Sequence, residues 1–201
     1  MRYLVVVLAA AVSFLTSMFV VKGMAFDREA SEAKARATVV MLRGPTGNGS
    51  GVVLAPGVIV TAKHVATTGD LCVVTGSECT PATLAWASDV DDIAVMRADV
   101  VCPCASKIAA PKIDEKVLVI GYPYGNELNA QVLTRGEYQG GATVEGFEYE
   151  LTTASAASGN SGGGVFVVRD GEVYLVGVLT NASTEGDLSL YVSVAKKTGG
   201  A

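Results

Sequence analysis

Residues 38–61 read TVVMLRGPTGNGSGVVLAPGVIVT. Three valine-rich runs stand here, at 38–43, 50–55 and 57–61, separated by glycine, proline and asparagine before any reaches helical length. β-Branched side chains favour an extended backbone and Gly and Pro punctuate it, so the stretch predicts short strands joined by tight turns. The same grammar continues. Further strands are expected at 71–75, 80–87 and 92–97, and then at 116–120, 129–135, 147–153, 164–169, 172–180 and 188–194. Six strands, a connector near 98–115 carrying Pro103 and two cysteines, and six more strands predict an all-β fold of two six-stranded antiparallel barrels with a cleft between them. The N-terminal barrel is expected at 38–110 and the C-terminal one at 111–201. A single sandwich is the alternative arrangement.

The bulk composition agrees. Of 201 residues half are hydrophobic, 23 are glycine and 17% are charged, the profile of a compact, turn-rich chain. Net charge is −5 with no lysine or arginine cluster, which excludes a nucleic-acid partner, because phosphates demand a positive surface.

Residues 4–21, LVVVLAAAVSFLTSMFVV, carry no charge and lie between Arg2 and Lys22. The length lies between the apolar part of a signal peptide and a bilayer span, so 1–25 is expected to be a hydrophobic helix serving as signal peptide or membrane anchor. Cleavage would fall after Ala25. Without cleavage residues 4–21 would hold the chain at a membrane. In either case the body of the protein is expected outside the cytoplasm, secreted or anchored. Residues 26–37, FDREASEAKARA, alternate charges among good helix formers and predict a short solvated helical stalk outside the chemistry.

Cys72, Cys79, Cys102 and Cys104 allow three pairings in an exported chain. A Cys72–Cys79 hairpin staple is the simplest, and a crossed pairing with Cys102 and Cys104 competes with it. A four-thiolate zinc site is disfavoured by the spacing.

A serine becomes a useful nucleophile only when a base takes its proton and an acid holds that base in the right tautomer. His64 is the one histidine of the chain, in GVIVTAKHVA just after a valine-rich strand. On its own it would read as a surface or core residue. Gly159-Asn160-Ser161-Gly162-Gly163 lets the backbone turn sharply, exposes the Ser161 hydroxyl and aims neighbouring N–H groups at one point. The amides of Gly159 and Ser161 are the expected oxyanion donors. The bland alternative is a glycine-rich hairpin. SDVDD, 88–92, precedes the apolar run Ile93–Met96, and a carboxylate entering a buried strand needs a partner such as an imidazole N–H. Asp92 is the expected acid, with Asp89 and Asp91 capping the turn.

These stretches, in the order His, Asp, Ser, resemble the chymotrypsin-like serine peptidases, and most closely their bacterial HtrA and glutamyl-endopeptidase branch. GSGVVLAPGVIVTAKHVA resembles the strand pair and histidine turn, DDIAVMRAD the aspartate strand, VIGYPYGN (119–126) the segment that opens the second barrel, TTASAASGNSGGGVF the serine loop, and LVGVLTNAS (175–183) the pocket-wall strand. The resemblance spans about 38 to 195. It implies a serine endopeptidase acting on proteins or peptides through an acyl-enzyme, with His64, Asp92 and Ser161 as the triad and no cofactor or metal. It also implies a primary pocket with Ser155 at its base, Ala156 and Ala157 near the wall, and Thr180, Asn181 and Ala182 along the edge. With neither an acid nor a histidine matched to that base, small to medium apolar side chains are the expected preference.

Three departures carry meaning. Asn160 stands where the digestive peptidases have an aspartate that pairs with a freed N-terminus, so activation by N-terminal insertion is not expected. Gly164 replaces the proline usual after SGG. The chain stops soon after the last strand, so no C-terminal PDZ domain is expected. A catalytically silent β-barrel binding module and a serine esterase on the same fold are the competing functions.

Overall fold

The computed structural model of the chain describes residues 28–101, 107–124, 128–182 and 188–197. The segment at 4–21 and both Cys102 and Cys104 lie outside that set. No helix among the described residues is long and apolar enough to cross a membrane.

Six strands form the first barrel: β1 (Val39–Arg43), β2 (Asn48–Ala55), β3 (Val58–Thr61), β4 (Leu71–Thr75), β5 (Glu78–Ala87) and β6 (Ala94–Ala98). They close in the order β1-β2-β3-β6-β5-β4, with every pairing antiparallel. Alternation places Leu42, Val53, Ile59, Val73 and Met96 inside, where they pack as one core.

The second sheet holds β7 (Lys107–Ile108), β8 (Lys116–Gly121), β9 (Val132–Val144), β10 (Phe147–Thr152), β11 (Gly164–Arg169), β12 (Glu172–Ala182) and β13 (Ser189–Ser193). Its order is β11-β8-β9-β10-β13-β12-β7, and a further β11–β12 pairing joins the ends of the first six. Strand β7 adds parallel to β12, so residues 107–108 pair with the second sheet, although the expected boundary at 110 leaves them with the first. Val117, Val165, Val176, Leu179 and Tyr191 fill the interior.

Two further elements depart from the sequence expectation. Strand β9 runs on to Val144, beyond the strand expected at 129–135, because the glycines at 136, 140 and 141 are accommodated inside it. Gly136 answers a close approach: a Cβ there would stand 2.1 Å from the Ala154 nitrogen. The other is helix α1, residues 28–37, which is docked and not a solvated stalk. Its small residues Ser31 and Ala35, one turn apart, are buried; Ser31 Oγ donates to the Gly171 carbonyl, and Glu32 pairs with Arg135.

A third apolar cluster spans both halves. Ala35 of α1 and Val39, Val52 and Val60 of the first barrel pack with Ile120, Phe166, Leu175 and Val178 of the second sheet. This shared core fixes one half against the other, and the cleft opens at its edge.

Candidate active site

Strand β3 ends in Thr61, and the chain turns at once into the single-turn helix α2 (Lys63–Ala66). Val65 and Ala66 bury their side chains in the first-barrel core, which leaves His64 at the surface of the cleft. Asp92 stands in the turn before β6, where Ile93 is buried in the shared core. The turn is tied from both sides. Ser88 N–H donates to the Ile93 carbonyl at 3.0 Å, the Ser88 hydroxyl accepts from Asp91 N–H at 3.1 Å, and Lys63 Nζ donates to the Ser88 carbonyl at 2.7 Å.

The Asp92 carboxylate receives His64 twice. The backbone N–H of His64 donates to Oδ1 at 2.9 Å, and ring Nδ1 lies 2.7 Å from Oδ2. Burial pushes the Asp92 carboxyl up, but the hydrogen bonds from the His64 ring and backbone outweigh it and hold it below the ordinary carboxylate range. An ionised carboxylate only accepts, so Nδ1 carries the proton and the lone pair of a neutral ring sits on Nε2, facing the cleft.

Ser161 lies across that cleft, in a depression of about 210 Å³ lined by His64, Gly159, Ser161, Val65 and Ser158. Its hydroxyl donates to the Thr180 carbonyl at 3.2 Å and makes no hydrogen bond to His64. The loop around it is held closely. Gly159 and Gly162 have φ of +92° and +84°, and a Cβ on Gly162 would stand 1.9 Å from the Ser50 carbonyl oxygen. Asn160 N–H donates to the Ala157 carbonyl, and Gly162 N–H to Leu179. Among the described residues, the amides of Gly159 and Ser161 have no protein acceptor. Asn160 is buried, and its carboxamide oxygen receives no hydrogen bond among the described residues.

Of the expected pocket residues, Thr180 is buried, with its hydroxyl donating to the Leu190 carbonyl, and Ala156 and Ala157 are half-buried. Ser155 is exposed, and its carbonyl accepts from Thr134 Oγ1 at 2.6 Å. Asn181 and Ala182 belong to the end of β12.

Several residues near the site carried no signal in the sequence reading. Ser50 and Ser88 are buried serines whose hydroxyls hold the two functional turns. The only clue to Ser50 is a hydroxyl inside an apolar strand, which needs a partner. Phe147 and Tyr149, from the long β9–β10 hairpin, line a second depression of about 390 Å³ on the Asp92 side of His64. Burial raises the Tyr149 hydroxyl pKa, and Asp92, Glu145 and Asp91 raise it further. No group of three or more metal-ligating side chains occurs among the described residues.

A family model described as the trypsin-like peptidase domain matches residues 49–178. No curated protein sequence matches the chain. Among solved structures, the active form of the Rv3671c protease from M. tuberculosis superposes with a TM-score of 0.72 at 21% identity, covering 84% of this chain and 81% of that one. Its inactive form gives 0.71 at 22% identity, over 84% and 89%. A serine endoprotease from Yersinia pestis gives 0.70 at 27% identity, and the match takes in 85% of this chain but 63% of that longer one. With the family model covering most of both halves, and the barrel pair common to these proteases, the chain belongs to the trypsin-like peptidase family.

Proposed function

We propose that the chain is a serine endopeptidase in which Ser161 is the nucleophile, His64 the general base and Asp92 the group that orients the base. The observation that carries this reading is the paired contact of His64 with Asp92, facing Ser161 in one cleft beside two unengaged amides. The Ser161 hydroxyl leaves the Thr180 carbonyl and donates to His64 Nε2. It then attacks the substrate carbonyl, and the oxyanion settles on the N–H groups of Gly159 and Ser161. The imidazolium, stabilised by Asp92, passes its proton to the leaving amine. Water then hydrolyses the acyl-enzyme by the same route. The chemistry uses no cofactor. Small to medium apolar residues at the cleavage point suit a pocket framed by Ala156, Ala157 and Thr180, none of which offers a charge.

The disulfide between Cys72 and Cys79, whose Cα atoms lie 5.3 Å apart across the β4–β5 hairpin, supports action in an oxidising compartment. Residues 4–21 supply the signal peptide or anchor that takes the chain there. Labelling with a fluorophosphonate, followed by digestion of an unfolded protein substrate, tests the assignment. Label on Ser161 and peptide products that vanish in Ser161→Ala are expected. Label without peptide hydrolysis would identify an esterase, and absence of label a silent binding module.

A further inference from the structure

Oxyanion donors work only if they point into the cleft before the substrate arrives. In a trans peptide the N–H points opposite to the preceding carbonyl, so whatever holds the carbonyl of residue 158 or 160 also aims the amide of 159 or 161. The loop is held this way at four successive carbonyls. The Ser158 carbonyl accepts from Tyr124 N–H at 2.7 Å, Gly159 from the Ser50 hydroxyl at 2.9 Å, Asn160 from Gly163 N–H at 2.8 Å and Ser161 from Ser50 N–H at 2.8 Å. The alternate amides, 160 and 162, are consumed by Ala157 and Leu179. Of the four amides from 159 to 162, those of 159 and 161 are left without an acceptor among the described residues.

Ser50, a fully buried residue of β2 in the other barrel, holds the carbonyls of 159 and 161, which fix the planes of amides 160 and 162, and through Tyr122 it anchors the turn that brings Tyr124 to the Ser158 carbonyl. Its hydroxyl is itself fixed, since it accepts from Tyr122 N–H at 2.9 Å while donating to Gly159. Tyr124 delivers its amide from a left-handed backbone, φ +56°, which a β-branched residue resists and glycine adopts freely. Its side chain is exposed, so the backbone alone makes this contact. We propose that Ser50, by anchoring Tyr122 in the turn whose Tyr124 amide holds the Ser158 carbonyl, is the positioning element that keeps the Gly159 amide turned into the cleft, linking the first barrel and the 122–124 turn to the oxyanion hole. This rests on the serine-peptidase reading above.

The test compares Ser50→Ala, Tyr124→Val and Tyr124→Gly with the unaltered protein, using a peptide substrate and a peptide boronate that mimics the tetrahedral intermediate. Outright loss of one oxyanion donor costs ~10²–10³-fold in kcat. Loosened donors should cost less, about 10- to 100-fold in kcat for Ser50→Ala with KM little changed, and boronate affinity should fall in proportion to kcat/KM. Tyr124→Val should show the same pattern, and Tyr124→Gly should recover most of it. Unchanged kcat, a change confined to KM, or boronate affinity that stays constant while kcat falls would each overturn the proposal. If Ser50→Ala does not fold, the Tyr124 pair decides: equal activity of its valine and glycine variants overturns it. Failure of the underlying reading looks different, because the unaltered protein would then not be labelled on Ser161.

Discussion

The Asp92 carboxylate binds both the ring and the backbone of His64, so it fixes the imidazole's rotation and tautomer together. An asparagine at 92 could present an NH2 to Nδ1 and draw the proton to Nε2, the wrong tautomer for a base. Asp92→Asn should therefore lower kcat by on the order of 10⁴-fold in a folded protein. Asp91, one residue away and tied to the Ser88 hydroxyl, should tolerate the same change with little loss of rate. If steady-state kinetics showed Asp91 to be the sensitive position, the role assigned to Asp92 would be wrong. Ser161→Ala and His64→Ala should each cost several orders of magnitude, and their double mutant no more than either alone, because a base without a nucleophile has nothing to activate. The rate should rise with pH through a single ionisation. Asp92, held below the ordinary carboxylate range, adds none above it. A second ionisation on the rising limb would place another group in the mechanism.

At the scale of elements, the glycines at the ends of the serine loop are the rigid parts. Gly162 combines a left-handed φ with backbone oxygen where a Cβ would go, so Gly162→Ala cannot be relieved by moving a side chain. The variant should unfold at markedly lower temperature by circular dichroism, by more than the ~1 kcal/mol typical of a point substitution. In the β4–β5 hairpin, reduction of Cys72–Cys79 should cost only about 2 kcal/mol, since the closed loop is short and the β4–β5 ladder already holds its ends. A reductant that left the melting temperature unchanged would show the crosslink to be absent in solution. The twelve longer strands were legible in sequence because they combine β-branched residues with frequent Gly, Pro, Asn or Asp breaks between them. The two-residue β7 was not, since Lys107–Ile108 is too short to show a period. Nor was the docking of α1, whose charge alternation hides the two small residues that touch the barrel. That His64, Asp92 and Ser161 would meet in one cleft was legible through their company, whereas the places of Ser50 and Ser88 were not. A serine's role as a strut depends on what the fold brings within 3 Å, and nothing local encodes that.

Across the whole molecule, the carboxylates of Glu115 and Asp92 link stability to pH. Glu115 accepts Arg169 Nε at 2.7 Å and Nη2 at 2.8 Å, and Arg169 Nη2 also donates to the Ala110 carbonyl, so the pair ties the connector between the barrels to β11. The Arg169 hydrogen bonds hold the Glu115 carboxyl below its ordinary range against a smaller opposing effect of burial. Asp92 is lowered as well, its bonds from His64 overcoming burial. In the unfolded chain both return to the ordinary values of about 4. Because the folded values are the lower ones, the stabilisation from each pair is fully present above that unfolded value and is lost as pH falls toward and through the folded one. Stability against urea should therefore hold steady with respect to these two groups down to about pH 5 and decline below about pH 4. Arg169→Ala removes the Glu115 share, so its deficit relative to the unaltered protein should be largest near neutrality and shrink on acidification. Part of the deficit should persist at every pH, because Arg169 also bonds the Ala110 carbonyl and lies 5.7 Å from the Tyr174 ring, contacts that no carboxyl titration touches. Glu115→Gln separates the two contributions: it should reproduce the pH-dependent part of the loss and leave the constant part intact. If the deficit of Arg169→Ala were instead the same at pH 3 as at pH 7, the ion pair would contribute nothing, and the arginine would hold the connector through its packing and its bond to Ala110 alone.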